Sequence, residues 1–145
     1  MKKLLFTLLM APLLILFNSC QKEEVFNQTI FKTTLSGANE VPARATNGFG
    51  DVIGYYDNVK KELVLRVNYY NLRAPLTAWH IHKAAPGVNG GVIFNFGTPQ
   101  ETGNFITIPA LTAEQETDLM NGNYYVNLHT SVYPGGEIRG QLIKQ

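Results

Sequence analysis

The chain has 145 residues, 12 basic and 11 acidic side chains, 45% hydrophobic residues and one cysteine. That length fits a single domain, and a formal charge of +1 with no basic stripe leaves little for nucleic acid to grip. One cysteine excludes an internal disulfide.

Lys2 and Lys3 open the chain, and residues 4–17 form an uncharged, mainly apolar run. The run is short for a bilayer span and is broken by Pro12, so residues 1–19 read as a signal peptide. "LFNSC" resembles the end of a bacterial lipoprotein signal. The resemblance implies that Cys20 becomes the first mature residue and carries lipid. Acyl chains add about 0.8 kcal/mol per buried CH₂, so several hold the protein firmly to a membrane. Residues 20–28 are then a lipidated tether. Its Lys22, Glu23 and Glu24 resemble an export signal that sends lipoproteins to the outer cell surface. The expected location is the cell envelope, as an outer-membrane lipoprotein. The expected partners are the membrane and an extracellular or periplasmic protein or ligand not named by the sequence.

From Thr29 onward the hydrophobic period is two. "TIFKTTLSG", "GFGDVIGYY", "ELVLRVNYY", "TAWHIHK", "GVIFNFG", "NFITIPA", "YYVNLHTSV" and "GEIRGQLI" are short runs bounded by Gly, Pro, Asn and Asp. This pattern predicts an all-β domain over 29–145, an antiparallel Greek-key sandwich or barrel of about eight strands. "DNVKK" at 57–61 reads as a hairpin loop. "LTAEQETDLMNG" at 111–122 departs from the pattern. Thr112 with Gln115 forms a capping box and Gly122 a stop, predicting one short helix near 112–121 across the end of the sandwich. Tyr55-Tyr56, Tyr69-Tyr70 and Tyr124-Tyr125 should each place one ring inward and one outward.

Three stretches carry a resemblance to the CHRD domain, named after chordin: "LSGANEVPARATNGFG" at 35–50, "AWHIHKAAPGVNGGVIFNFG" at 78–97 and "LMNGNYYVNLHTSVYPGGEIRGQL" at 119–142. In chordin such domains belong to an antagonist of bone morphogenetic proteins, and in bacteria they occur in secreted and anchored proteins. The resemblance implies a fold and a location more than an activity. The chain is also distantly similar to copper,zinc superoxide dismutase, with His80, His82, His129 and Arg139 as counterparts. It departs from that enzyme in having only three histidines and no disulfide, so a site of that enzyme's kind cannot be assembled.

His80 and His82 share one face of their strand, and Trp79 and Ile81 the other. The apolar pair belongs to the core, so the histidines should face outward. By the same parity Val126 and Leu128 point in, and Asn127 and His129 point out. Ile138 and Leu142 point in, and Glu137, Arg139 and Gln141 point out. Where these strands are neighbours, His80, His82 and His129 meet as a three-imidazole surface site suited to copper or zinc, with "KAAPGVNGG" as a covering loop. Glu137 and Arg139 are candidate outer partners of that site, or a surface ion pair worth ~0–1 kcal/mol. No Gly-x-Ser-x-Gly elbow is present. Glu40 and Asp51 offer a carboxylate pair in principle, but Glu40 reads as a turn residue bonding backbone amides and Asp51 as a wet-face residue. No catalytic residue or required cofactor is assigned. The leading expectation is a lipid-anchored binding or structural module that is not an enzyme. A copper- or zinc-binding protein stands beside it, and a dismutase-like enzyme is the remaining reading.

Overall fold

The computed structural model describes residues 27–97, 102–103 and 105–145. The expected signal peptide, the expected tether up to residue 26 and the expected lipidation site Cys20 lie outside the described residues. Alternation governs what is described. β1 (Gln28–Ser36), β2 (Phe49–Asp57) and β3 (Glu62–Tyr70) form a meander in continuous antiparallel register. β4 (Leu76–Lys83) and β5 (Gly91–Asn95) form a second hairpin. β6 (Phe105–Ile108), β7 (Tyr124–Thr130), β8 (Ile138–Gln141) and the two-residue β9 (Ile143–Lys144) complete the set. The predicted last strand is thus divided at Leu142, with β8 and β9 on either side of it.

The strands make one curled antiparallel sheet, a half-barrel, in the order β5-β4-β7-β8-β1-β2-β3-β6, with β9 also on β1. Its two halves join where Ser36 of β1 pairs with Arg139 of β8. The curl encloses the core: Phe31, Leu35, Val52, Leu65, Trp79, Ile81, Val126, Leu128, Ile138 and Leu142 are all buried there. The inward assignments from parity therefore hold for β4, β7 and β8.

The outward residues take the opposite face, as parity expects, but that face is covered. All seven residues of β7 are buried. Tyr124, Val126 and Leu128 face the core, whereas Tyr125, Asn127 and His129 lie on the other face beneath three connecting segments. Tyr125 Oη accepts from Gly90 N of the 84–90 loop (3.1 Å). Asn127 Nδ2 donates to Glu40 of the 37–47 segment (3.3 Å), and His129 bonds Pro134 of the 131–137 turn. A second, polar interior replaces the expected wet surface. Tyr124 and Tyr125 take opposite faces, as expected, but both rings are buried because the outer face is covered, whereas Tyr56 is buried and Tyr70 exposed.

The helix α1 (Ala113–Met120) has the predicted capping box: Thr112 Oγ1 accepts from Gln115 N, and Gln115 Oε1 accepts from Thr112 N. Leu111 and Leu119 enter the core, each worth about 1.5–3 kcal/mol. The partly exposed pairs Lys61–Glu116 (2.7 Å) and Lys83–Glu114 (3.1 Å) tie the helix to the ends of β3 and β4. Such pairs add only ~0–1 kcal/mol each, so apolar burial decides where the helix sits. Replacing Thr112 by Ala removes one half of the capping box and is expected to destabilise the fold by about 1 kcal/mol. Urea unfolding reads this directly, and an unshifted midpoint would contradict the role given to the cap.

Candidate metal centre

β4 and β7 pair antiparallel with Ala78 opposite His129, His80 opposite Asn127 and His82 opposite Tyr125. Opposed residues share a face, and diagonal ones lie within reach of long side chains. This register alone brings His80, His82, Tyr125, Asn127 and His129 together. His80 Nδ1 is 3.0 Å from His129 Nε2, and one nitrogen from each of the three rings lies within 4.8 Å of the others. The sequence-predicted trio converges.

It is not a surface site. His82 and His129 are 9% and 8% exposed, and His80 is half-buried. The covering segments do more than shield. His82 Nδ1 is 3.0 Å from Gly90 O, and His129 Nδ1 is 2.9 Å from Pro134 O. A carbonyl only accepts, so both Nδ1 atoms carry the proton and both Nε2 atoms carry the lone pair. His82 Nε2 is buried with no partner among the described residues. Burial holds all three imidazoles below their ordinary titration range. The nearby charges of His129 and His82 add to this at His80, whereas the Gly90 and Pro134 carbonyls oppose it at His82 and His129. Neutral imidazoles are the form that binds a metal ion.

The outer partners are arranged behind this trio. The His82 ring stacks on Tyr125 at 4.8 Å, almost parallel. Arg139 Cζ lies 3.4 Å from the Tyr125 ring centroid. β4 and β8 flank β7 on opposite sides, so the tyrosine ring lies between imidazole and guanidinium. Arg139 also donates to Asn89 Oδ1 (3.1 Å) and to Val88 O (2.8 Å). Glu137 accepts from Thr46 Oγ1 (2.6 Å), Arg73 N (2.8 Å) and Thr130 Oγ1 (2.7 Å). Arg139 and Glu137, 2% and 0% exposed, are therefore not the surface ion pair of the parity reading. Each instead fastens a covering segment, because the second face is roofed and a buried charge needs hydrogen-bond partners.

Glu40 differs from its expectation too. Among the described residues its carboxylate holds no backbone amide; Oε2 accepts from Asn127 Nδ2, while Glu40 Oε1 and Asn127 Oδ1 are both buried with no partner there. Both oxygens crowd Gly136, where φ is +119° and an added Cβ would fall 2.5 Å from Asn127 Oδ1 and 2.7 Å from Glu40 Oε1. Only glycine fits there. Burial pushes the Glu40 carboxyl up to about 7, against the pull of Arg139, Arg44 and the Asn127 bond. Asp51 stands apart from this cluster, accepting from Asn68 Nδ2 across β2 and β3 (2.9 Å).

Tyr125 and Asn127 were within reach of sequence reasoning, since they share the parity of His129. The Gly90 and Pro134 carbonyls had no signal of their own, because any residue supplies one. A family model for the CHRD domain matches residues 31–142. The chain belongs to the CHRD family. The CHRD domain is not a known enzyme family, and membership supports a structural or binding module. No curated protein and no solved structure matches the chain. The three stretches that carried the resemblance meet at this one place: 39–42 brings Glu40 and the Val41 carbonyl that accepts from Asn89 (2.7 Å), 80–82 brings two imidazoles, and 129–139 brings the third together with Glu137 and Arg139.

A folded-state pKa near 7, above the ordinary 4.5, means that folding favours the protonated Glu40. The stability this contributes is fully present below about 4.5 and is lost as the pH rises to 7. Glu40→Gln should therefore gain stability relative to the parent across this window, by up to about 3 kcal/mol at pH 8. Urea unfolding of both proteins at several pH values measures the difference, in which the histidine contributions cancel. A difference that stays flat from pH 4.5 to 8 would refute the assignment.

Proposed function

We propose that this CHRD domain is an envelope-tethered module that holds one copper or zinc ion between His80, His82 and His129, as a binder of the ion and not as a catalyst. The observation that carries the reading is the pair of fixed tautomers. Gly90 O and Pro134 O hold the Nδ1 protons of His82 and His129, as backbone carbonyls do behind metal-ligating histidines, fixing the tautomer that offers Nε2 to the ion. One nitrogen from each of the three rings lies within 4.8 Å of the others, and with both Nδ1 atoms engaged the free lone pairs of His82 and His129 are those on Nε2. A buried, unsatisfied acceptor such as His82 Nε2 costs about 1–3 kcal/mol, and an ion held by these nitrogens would remove the deficit. Two metal–nitrogen bonds of 2.0–2.1 Å set roughly at right angles place their nitrogens about 2.9 Å apart, close to the 3.0 Å between His80 Nδ1 and His129 Nε2. In the metal-free protein one proton fills that gap, on His80 Nδ1, because His129 Nε2 is the acceptor. An ion would displace it, and His80 would pass to its other tautomer.

Three imidazoles rank copper(II) above zinc. Titrating the metal-free full chain with copper(II) and with zinc should give one site per chain, with copper the tighter. His80→Ala, His82→Ala and His129→Ala should each abolish it. Weak uptake unchanged by His129→Ala would sink the proposal.

The tether is part of the same reading. No described helix is long and apolar enough to cross a membrane, and the proposed attachment is lipid on Cys20. Cys20→Ser should release the protein from the membrane fraction of expressing cells. Continued sedimentation with membranes would refute lipidation.

A further inference from the structure

We propose that Arg139 is a positioning residue that sets the affinity of the three-histidine site by holding the 84–90 loop, and with it the tautomer of His82; this rests on the metal reading above. Arg139 touches none of the three imidazoles through a hydrogen bond. Its guanidinium lies on the Tyr125 ring and spends two N–H groups on the loop, at Val88 O and Asn89 Oδ1. Asn89 passes the restraint on to Val41 O. The next residue, Gly90, is bonded at both ends: its N–H to Tyr125 Oη and its carbonyl to His82 Nδ1. Tyr125 is also the ring on which His82 stacks. One buried cation thus governs both restraints on His82, the carbonyl that fixes its proton and the plane that fixes its ring.

Gly90 shows how little slack the loop has. A Cβ there would fall 1.9 Å from Lys83 O, so the backbone passes directly over the end of β4. The loop cannot shift toward the sheet, and without Arg139 it can only lift away, taking the Gly90 carbonyl from His82. His129 is independent of this. Its proton is held by Pro134, in the 131–137 turn that Thr130 and Glu137 fasten.

The test uses the full chain with ¹⁵N-labelled histidine, in Arg139→Met, Arg139→Lys, Asn89→Ala and Tyr125→Phe variants. The last two leave the guanidinium in place, so they remain informative where an Arg139 variant fails to fold. Nitrogen shifts in the metal-free protein report each tautomer, and copper(II) titration reports affinity. His82 should pass from a single Nδ1–H form to a mixture in Arg139→Met and Asn89→Ala, while His129 keeps its form. Copper affinity should fall about 10- to 100-fold in these variants, the range typical of outer-shell partners. Lysine keeps the charge but not the planar fork, so Arg139→Lys should fall between. Asn89→Ala removes one of the two loop contacts that Arg139→Met also removes, so the two combined should lose less than the sum of the single effects. Unchanged His82 nitrogen shifts would overturn the proposal, whether or not affinity drops, and so would an altered tautomer with unaltered affinity. A parent protein that takes no ion would refute the metal reading instead, and the nitrogen shifts would still decide whether Arg139 holds His82.

Discussion

The register of β4 against β7 is the constraint on which the rest depends. Sliding either strand by one residue would exchange its two faces. Trp79, Ile81, Val126 and Leu128 are 0–2% exposed on the core side, and moving this apolar set into the polar layer would cost several kcal/mol. Hydrophobic burial therefore fixes a register whose other consequence is polar. The same pairing that packs tryptophan, isoleucine, valine and leucine inward puts three histidines, Tyr125 and Asn127 on the opposite face. The site's positional order is a by-product of the core's.

That opposite face is then a problem of polar satisfaction. A buried imidazole, amide or charge without a partner is destabilising, and three connecting segments supply most of the partners. The 84–90 loop answers His82 and Arg139, the 131–137 turn answers His129, and the 37–47 segment reaches Asn127 and Glu137. Side chains that look wet in the sequence become the internal scaffold of a second layer. A few atoms stay unsatisfied there, among them His82 Nε2, Glu40 Oε1 and Asn127 Oδ1. The first belongs to the three-imidazole cluster, in which one nitrogen of each ring lies within 4.8 Å of the others. The latter two crowd Gly136, where protonation of Glu40 turns one acceptor into a donor.

Much of the fold was legible because period-two alternation and turn residues are local signals. All eight predicted strands form, and the Thr112–Gln115 capping box appears as read. The convergence of His80, His82 and His129 followed from parity once β4 and β7 were neighbours. Parity says which side of a strand a residue takes, not whether that side is covered. Parity puts Arg139 and Glu137 on the correct outer layer, but reading them as exposed is an error that nothing local to "GEIRGQLI" prevents, because the 84–90 loop and Thr46 close over it only in the fold. The second error has the same source: Glu40 reads as a turn residue until a segment far along the chain brings Asn127 against it.

The proposed metal centre is one coordination sphere formed by the three imidazoles on this covered face. X-ray absorption of the copper-loaded full chain examines that sphere directly. Three nitrogen ligands at about 2.0 Å are expected, with the outer-shell scattering of three imidazole rings. Two imidazoles or fewer would contradict it.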